Sequence, residues 1–145
     1  MNSYSFFSNV SNEAYNTGKI YNPPVQVFKS IKKSILRFLI TLINTNDSIE
    51  IIMSNILPSL SALIDQYRIS HIDNRDSDVL IVFSSILEKI KDSQYDYIVS
   101  IWNYLCLFTL DMIKADFISY PEHRMNYFTL IKSLIANAFN CKIIF

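Results

Sequence analysis

Glycine is almost missing: Gly18 is the only one in 145 residues. A phosphate-cradling loop needs several glycines so that backbone can approach the ligand. A nucleophile elbow needs glycines flanking its serine. The sequence contains neither pattern. Histidine is nearly as scarce, with only His71 and His123, and no His/Cys spacing suits zinc. The two cysteines, Cys106 and Cys141, stand 35 positions apart without a CxxC, both in apolar runs. They read as buried free thiols in a reducing compartment, not as a disulfide or a metal site. Neither sign of charge dominates, because 13 basic residues meet 13 acidic ones. That balance argues against a direct nucleic-acid partner held through phosphates. Met1-Asn-Ser-Tyr-Ser lacks a basic leader, so no secretory signal is expected. The longest uncharged runs, 51–64 and 97–110, hold fourteen residues each. A bilayer span needs roughly 20. The expectation is a soluble intracellular chain with no membrane partner.

Apolar residues are plentiful, at 50% of the chain. Mean hydropathy is +0.20, high for a free monomer of one-domain length. A slab of stacked helices whose end faces are normally covered would have this character. Hydrophobic spacing is helical throughout. A short N-terminal piece carries Phe6, Phe7, Val10 and Ala14 and stops at Gly18, where a helix end takes positive φ. Asn22-Pro23-Pro24 then starts a new helix over about 25–44, with Phe28, Ile31, Ile35, Phe38, Leu39 and Leu42 at spacings of three and four. A second helix, about 49–67, contains Pro58, which should bend it. A polar loop over 69–78 precedes a third helix over about 78–91. The fourth, about 95–117, is apolar on several sides and so reads as buried, with Asp92, Asp96 and Lys114 placed to suit its dipole. The fifth begins at Pro121 or Glu122 and continues to about Phe139. Helix starts near 49 and 97 lie 48 apart, close to the HEAT and armadillo period of about 40–47 residues. The fold class expected is all-α: a HEAT-repeat α-solenoid segment of about five antiparallel helices. Residues 1–22 would form a partial helix and loop, and residues 23–145 the helical pairs.

Candidate sites have plain structural readings. Glu122-His123 resembles an acid–base pair, but neighbouring helical residues diverge by about a quarter-turn. Pro121 suits the first helical position, Glu122 complements the positive helix end, and Arg124 should pair with Asp116 or Asp111. His71, Asp73, Asp76 and Asp78 lack the glycine and terminal Glu of a calcium loop and read as a solvated acidic loop. Lys29, Lys32, Lys33 and Arg37 form a basic stripe that reads as a solvated outer face. Trp102, Tyr104 and Phe108 read as core, not as a base-stacking platform. No catalytic residue, cofactor or metal is expected.

The string Asp116-Phe117-Ile118-Ser119-Tyr120-Pro121-Glu122-His123-Arg124-Met125-Asn126-Tyr127-Phe128 is unusual. It resembles a turn between HEAT repeats near the C-terminal end of the exportin-1 family, the leucine-rich-signal nuclear export receptors of the importin-β/karyopherin group. Thr109-Leu110, Met112-Ile113 and Lys114 extend the likeness backwards, and 25–67 is similar to the preceding helix pair. The resemblance implies a structural repeat-boundary motif at Asp116, Phe117, Tyr120, Pro121, Glu122, His123 and Arg124. It also implies a segment of a larger receptor that shuttles between nucleus and cytoplasm. The implied partners are adjacent HEAT repeats, the small GTPase Ran in its GTP form, and leucine-rich-signal cargo, the last two through regions mostly outside this chain. By the same likeness, helices 49–67 and 97–117 would line a concave face. The segment after Asn140 and the first fifteen residues depart from the family pattern, which suits a fragment or shortened product. The alternative is a free-standing all-α interaction module, dimeric through its exposed end faces.

Overall fold

A computed structural model of the chain describes residues 2–90 and 95–137. Among them the regular structure is entirely helical, in six helices: α1 (Asn2–Asn16), α2 (Pro23–Thr45), α3 (residues 49–69), α4 (Asp78–Ile90), α5 (residues 95–115) and α6 (Pro121–Asn137). Cys141, Asp92 and the expected end of the last helix at Phe139 lie outside the described residues.

Local chemistry sets the boundaries. Gly18 has φ of 70°, the left-handed conformation that glycine takes without strain. Gly18 N donates to Tyr15 O (3.3 Å) and Lys19 N to Ala14 O (2.8 Å), a double closure that satisfies the last carbonyls of α1. α1 runs for 15 described residues, Asn2–Asn16, and its C-terminal end is capped. Pro23 and Pro24 occupy the first turn of α2, where a missing N–H costs nothing. Ser48 caps α3 by accepting from Ile51 N at 3.4 Å.

Pro58 does not end α3, which continues to Ile69. A π-helical turn at Ile52–Ile56 precedes the proline, with Leu57 N bonded to Ile52 O. The wider turn shifts the carbonyl ladder by one residue just ahead of the residue that cannot donate. α5 carries the same device at Trp102–Cys106, with Leu107 N bonded to Trp102 O. No proline explains the second one.

The helices form two layers. α4 packs along α2 on one side and α6 on the other, and α1, α3 and α5 form the second row. α4 is therefore central, with Val79, Leu80, Val82, Phe83, Ile86 and Leu87 fully buried. Each such side chain contributes about 1.5–3 kcal/mol by leaving water. Small Ser84 and Ser85 are buried on α4 as well, and Ser84 Oγ meets Ser133 Oγ of α6 at 2.6 Å.

α5 is buried on one side only, contrary to its all-round apolar composition. Ile98, Ile101, Leu105, Cys106 and Met112 are covered, while Tyr104 and Leu107 are 50% and 40% exposed. Its Asp96–Ala115 stretch is long and apolar enough to cross a membrane by length and composition alone. A core helix passes that same test, and the covered face here packs against α3 and α6.

Candidate functional site

The most elaborate polar constellation surrounds the α3–α4 loop, residues 70–77. Its sequence is rich in Asp and Asn, residues that bond nearby backbone and favour turns. A short 3-10 turn at Ile72–Asn74 gives it shape. Ser70, Asn74 and Ser77 are nevertheless buried while His71 and Asp73 are exposed, so the loop is solvated on one side only. Other helices cover it. From α1, Ser8 Oγ meets Ser70 Oγ at 3.0 Å, and Asn12 Oδ1 accepts from His71 N at 3.0 Å. Asn74 Nδ2 donates to that same Asn12 Oδ1 at 2.6 Å and to Ser8 O at 3.3 Å. Tyr15 Oη donates to Asp73 O at 2.8 Å, and its ring stacks on His71 at 4.9 Å.

From α2 comes Lys32. Its ammonium donates to Asn74 O at 3.1 Å and Asn74 Oδ1 at 3.2 Å, and lies 5.5 Å from the centre of the Tyr4 ring. Lys32 is only 2% exposed, which corrects the reading of a wholly solvated basic stripe. Burial lowers its pKa to about 8, against a partial pull upward from Asp76. The rest of the stripe is engaged at the surface. Lys29 Nζ donates to Tyr15 Oη at 2.5 Å, Lys33 lies 4.0 Å from Glu122, and Arg37 lies 3.6 Å from Asp78. Asp76 accepts from Asp78 N at 3.1 Å, and desolvation raises its pKa.

From α6 and the turn before it comes the motif 116–124. Asp116 Oδ1 accepts from Ile118 N (3.1 Å) and Ser119 N (3.0 Å), folding the turn onto its own side chain. The Ser119 hydroxyl first, and then the backbone N–H bonds from Ser119 and Ile118, hold its carboxyl below the usual range. Arg124 does not pair with Asp116 or Asp111. It donates to Phe117 O and lies 4.4 Å from the Phe117 ring centre, because Asp116 is already spent on the turn. Phe117 itself is 64% exposed. Tyr120 Oη donates to Asp73 Oδ1 at 3.2 Å. Pro121 is the first residue of α6. Glu122 accepts from Ser77 Oγ at 3.4 Å, and Asn126 Nδ2 donates to Ser77 O at 3.0 Å.

His123 turns the other way, into the interior. Its ring lies 6.3 Å from Tyr67 and 5.8 Å from Tyr120, and its Nε2 is buried without a partner. Burial first, and the Arg75 charge second, lower its pKa to about 4, so the ring is neutral. Glu122 faces Lys33 and Ser77 instead. The two do not converge on one substrate atom, so the pair builds no acid–base site. A polar cleft of about 270 Å³ opens between α2, the loop and the start of α6. Its charges already face one another. Among the described residues, no three His, Cys, Asp or Glu side chains gather to hold a metal ion.

A second groove of about 390 Å³ lies between α3 and α5, lined by Ile64, Asp65, Arg68, Tyr97 and Tyr104. Arg68 sits 5.1 Å from the Tyr104 ring centre. Tyr104 is thus a surface residue and not the core residue expected. Cys106 is a buried free thiol whose pKa burial raises to about 12. Sequence reasoning missed Asn12, Tyr15, Lys32 and Asn74 as a group. Asn74 in an Asp/Asn loop was the one available signal, and its partners are 42 to 66 residues away.

Comparison with known proteins agrees with this helical stack. Residues 1–144 match the family described as "CRM1 C terminal". Exportin-1 of Dictyostelium discoideum is 35% identical over 79% of this chain and 11% of its own length. Exportin-1 of Schizosaccharomyces pombe is 30% identical over 81% of the chain and 11% of its own. Protein EXPORTIN 1B of Arabidopsis thaliana is 26% identical over 99% of the chain and 14% of its own. The chain spans about a tenth of the length of such relatives. With six helices in two layers, and a family match along nearly its whole length, the chain belongs to the CRM1 C-terminal family.

Proposed function

We propose that this chain is a structural segment of an exportin-1-like nuclear export receptor. The family match over residues 1–144 carries the reading. Its geometry supports the same role, since the polar residues are spent on joining helices. In this reading the segment sets the spacing and curvature of a HEAT-repeat ring. Ring curvature then couples binding of Ran in its GTP form to affinity for leucine-rich-signal cargo. Those two partners bind elsewhere in the receptor, which shuttles between nucleus and cytoplasm. The segment itself performs no chemistry.

Its immediate partners are adjacent HEAT repeats. Met125, Phe128 and Ile135 are exposed along one stripe of α6, the last helix of its row among the described residues, and Phe117 and Ile118 are exposed in the turn before it. Such a stripe is what a following helix pair covers. The turn 116–124 acts as the repeat boundary, fixing the angle at which α6 leaves α5.

The test is a chimera. The matching stretch of the Dictyostelium discoideum exportin-1 is replaced by this chain, and a reporter carrying a leucine-rich export signal is followed in cells. The expected result is export at a level near that of the parent receptor. A chimera made at full length and folded, yet leaving the reporter in the nucleus, refutes the proposal.

A further inference from the structure

The α3–α4 loop is an unusual place for a buried polar network, because its side chains bond residues of α1, α2 and α6 that are far away in sequence. In a solenoid, neighbouring helix pairs are usually held by apolar side chains, and stability is a sum of pair and interface contributions. The hydrophobic effect is non-directional, so apolar burial by itself specifies orientation less sharply than hydrogen bonds do. Here directional bonds run from one loop to both ends. Toward α1 and α2 they are Ser8···Ser70, Asn12–His71, Asn12–Asn74 and Lys32–Asn74. Toward α6 they are Ser77–Glu122 and Asn126–Ser77, with Tyr120–Asp73 from the turn before it. Arg75 reaches α5, lying 4.4 Å from the Phe108 ring centre.

We propose that residues 70–77 are a strut that locks the α1–α2 pair to the rest of the stack as one rigid body, with Asn74 as its keystone. Asn74 is 5% exposed and uses its carbonyl, its Oδ1 and its Nδ2 in this network. Its amide cannot swap ends without placing Nδ2 against the Lys32 ammonium. Displacement of α1 or α2 therefore carries α4 and α6 with it, and any bending of a longer solenoid occurs outside this joint. The inference rests on the fold alone and stands or falls apart from the transport reading.

Without the strut, α1 keeps only its packing on α2 and α3, and its four buried residues are Tyr4, Ser8, Ser11 and Ala14. Two of the four are serines, so the apolar hold on α1 is limited to Tyr4, Ala14 and the half-buried Val10 and Phe7, the last packed on Phe28 at 5.3 Å.

Hydrogen exchange with mass spectrometry on the whole chain reads this directly. In the wild type, α1 and α4 amides should open together, with protection factors within about threefold of each other. Asn74→Ala should lower protection of α1 by about tenfold or more relative to α4 and α6. Ser70→Ala, which removes the hydroxyl's contacts with Ser8, Asn12 and Gln66 but leaves those of Asn74 and Lys32, should give a smaller loss confined to α1. Ser34→Ala on the exposed face of α2 should change nothing. Wild-type α1 exchanging far faster than α4 overturns the proposal. So does an equal fall across all helices in both loop variants, which would make the loop a general stabiliser and not a joint.

Discussion

Replacing His123 with leucine should erase a defined part of the pH dependence of stability. His123 is 8% exposed, and its Nε2 has no partner to strand. Burial, then the Arg75 charge, lowers its pKa from 6.5 to about 4. The folded state thus refuses a proton that the unfolded chain accepts below pH 6.5. This contribution to stability is fully present above pH 6.5, is lost as pH falls towards 4, and is constant below that. At about 1.4 kcal/mol per pH unit, the whole loss is ~3 kcal/mol, and ~2.5 kcal/mol of it has occurred by pH 4.5. Asp76 acts in the opposite sense, since its raised pKa favours the folded state as pH falls. It is common to both chains, so it cancels in their difference. Leucine is close to imidazole in volume, so the two chains should lie within about 1.5 kcal/mol at pH 7.5. Urea unfolding of each chain from pH 7.5 to 4.5 gives the difference curve. The leucine variant should gain on the wild type by ~2.5 kcal/mol over that range. A difference that stays constant with pH would refute the argument that His123 is folded in as a neutral ring.

Two further outcomes follow from packing. Ser84→Ala and Ser133→Ala should each cost about 1–2 kcal/mol, since each leaves the other hydroxyl short of a bond in the α4–α6 contact. Glu88 Oε1 lies 3.1 Å from Ser133 Oγ and keeps a partner for it, so Ser84→Ala should be the milder change. The double substitution should cost less than the sum, and additive values from urea midpoints would show that the 2.6 Å contact carries no coupling. Pro58→Ala should change stability by less than about 1 kcal/mol, because the Ile52–Ile56 π turn already relieves the clash. A gain near 3 kcal/mol, the usual cost of proline inside a helix, would show that the turn does not absorb it.

Much of the helical framework was legible because its causes are local. Gly18 ends α1 through its own φ, and Pro23 and Pro121 start helices through a ring that suits the first turn. The apolar spacing over about 78–91 marked a third helix, while the buried helix was expected at 95–117; two flanking neighbours make α4 the core instead. What escaped depends on distant partners. Lys32 sits in a row with Lys29, Lys33 and Arg37 and has no sequence mark separating it from them. Only the loop folding over it, with Asn74 42 positions away, takes it out of water. The π turn in α5 has no local cause to read. The exposure of Tyr104 and Leu107 was hidden because composition gives the apolar content of a helix, not the number of neighbours it has. Arg124 was misassigned for a related reason. Asp116 is near in sequence, but its carboxylate is committed to two backbone N–H groups.

The contrast between α4 and α6 shows how position in the row, and not sequence character, decides burial. α4 has a helix on each side and hides nearly every apolar residue. α6 has α4 on one side and leaves Met125, Phe128 and Ile135 at 71%, 67% and 44% exposure. Covering what these three leave exposed would contribute about 3–5 kcal/mol before the entropy of ordering is counted. That approaches the lower end of the net stability of an ordinary domain, about 5–15 kcal/mol. Apolar contact of that kind fixes how strongly a neighbour is held but leaves its orientation loose. The polar strut at 70–77 has the complementary character, contributing little net energy per bond yet tolerating only one arrangement of α1, α2 and α6. A stack built from both has sliding surfaces at its ends and a fixed joint in its middle.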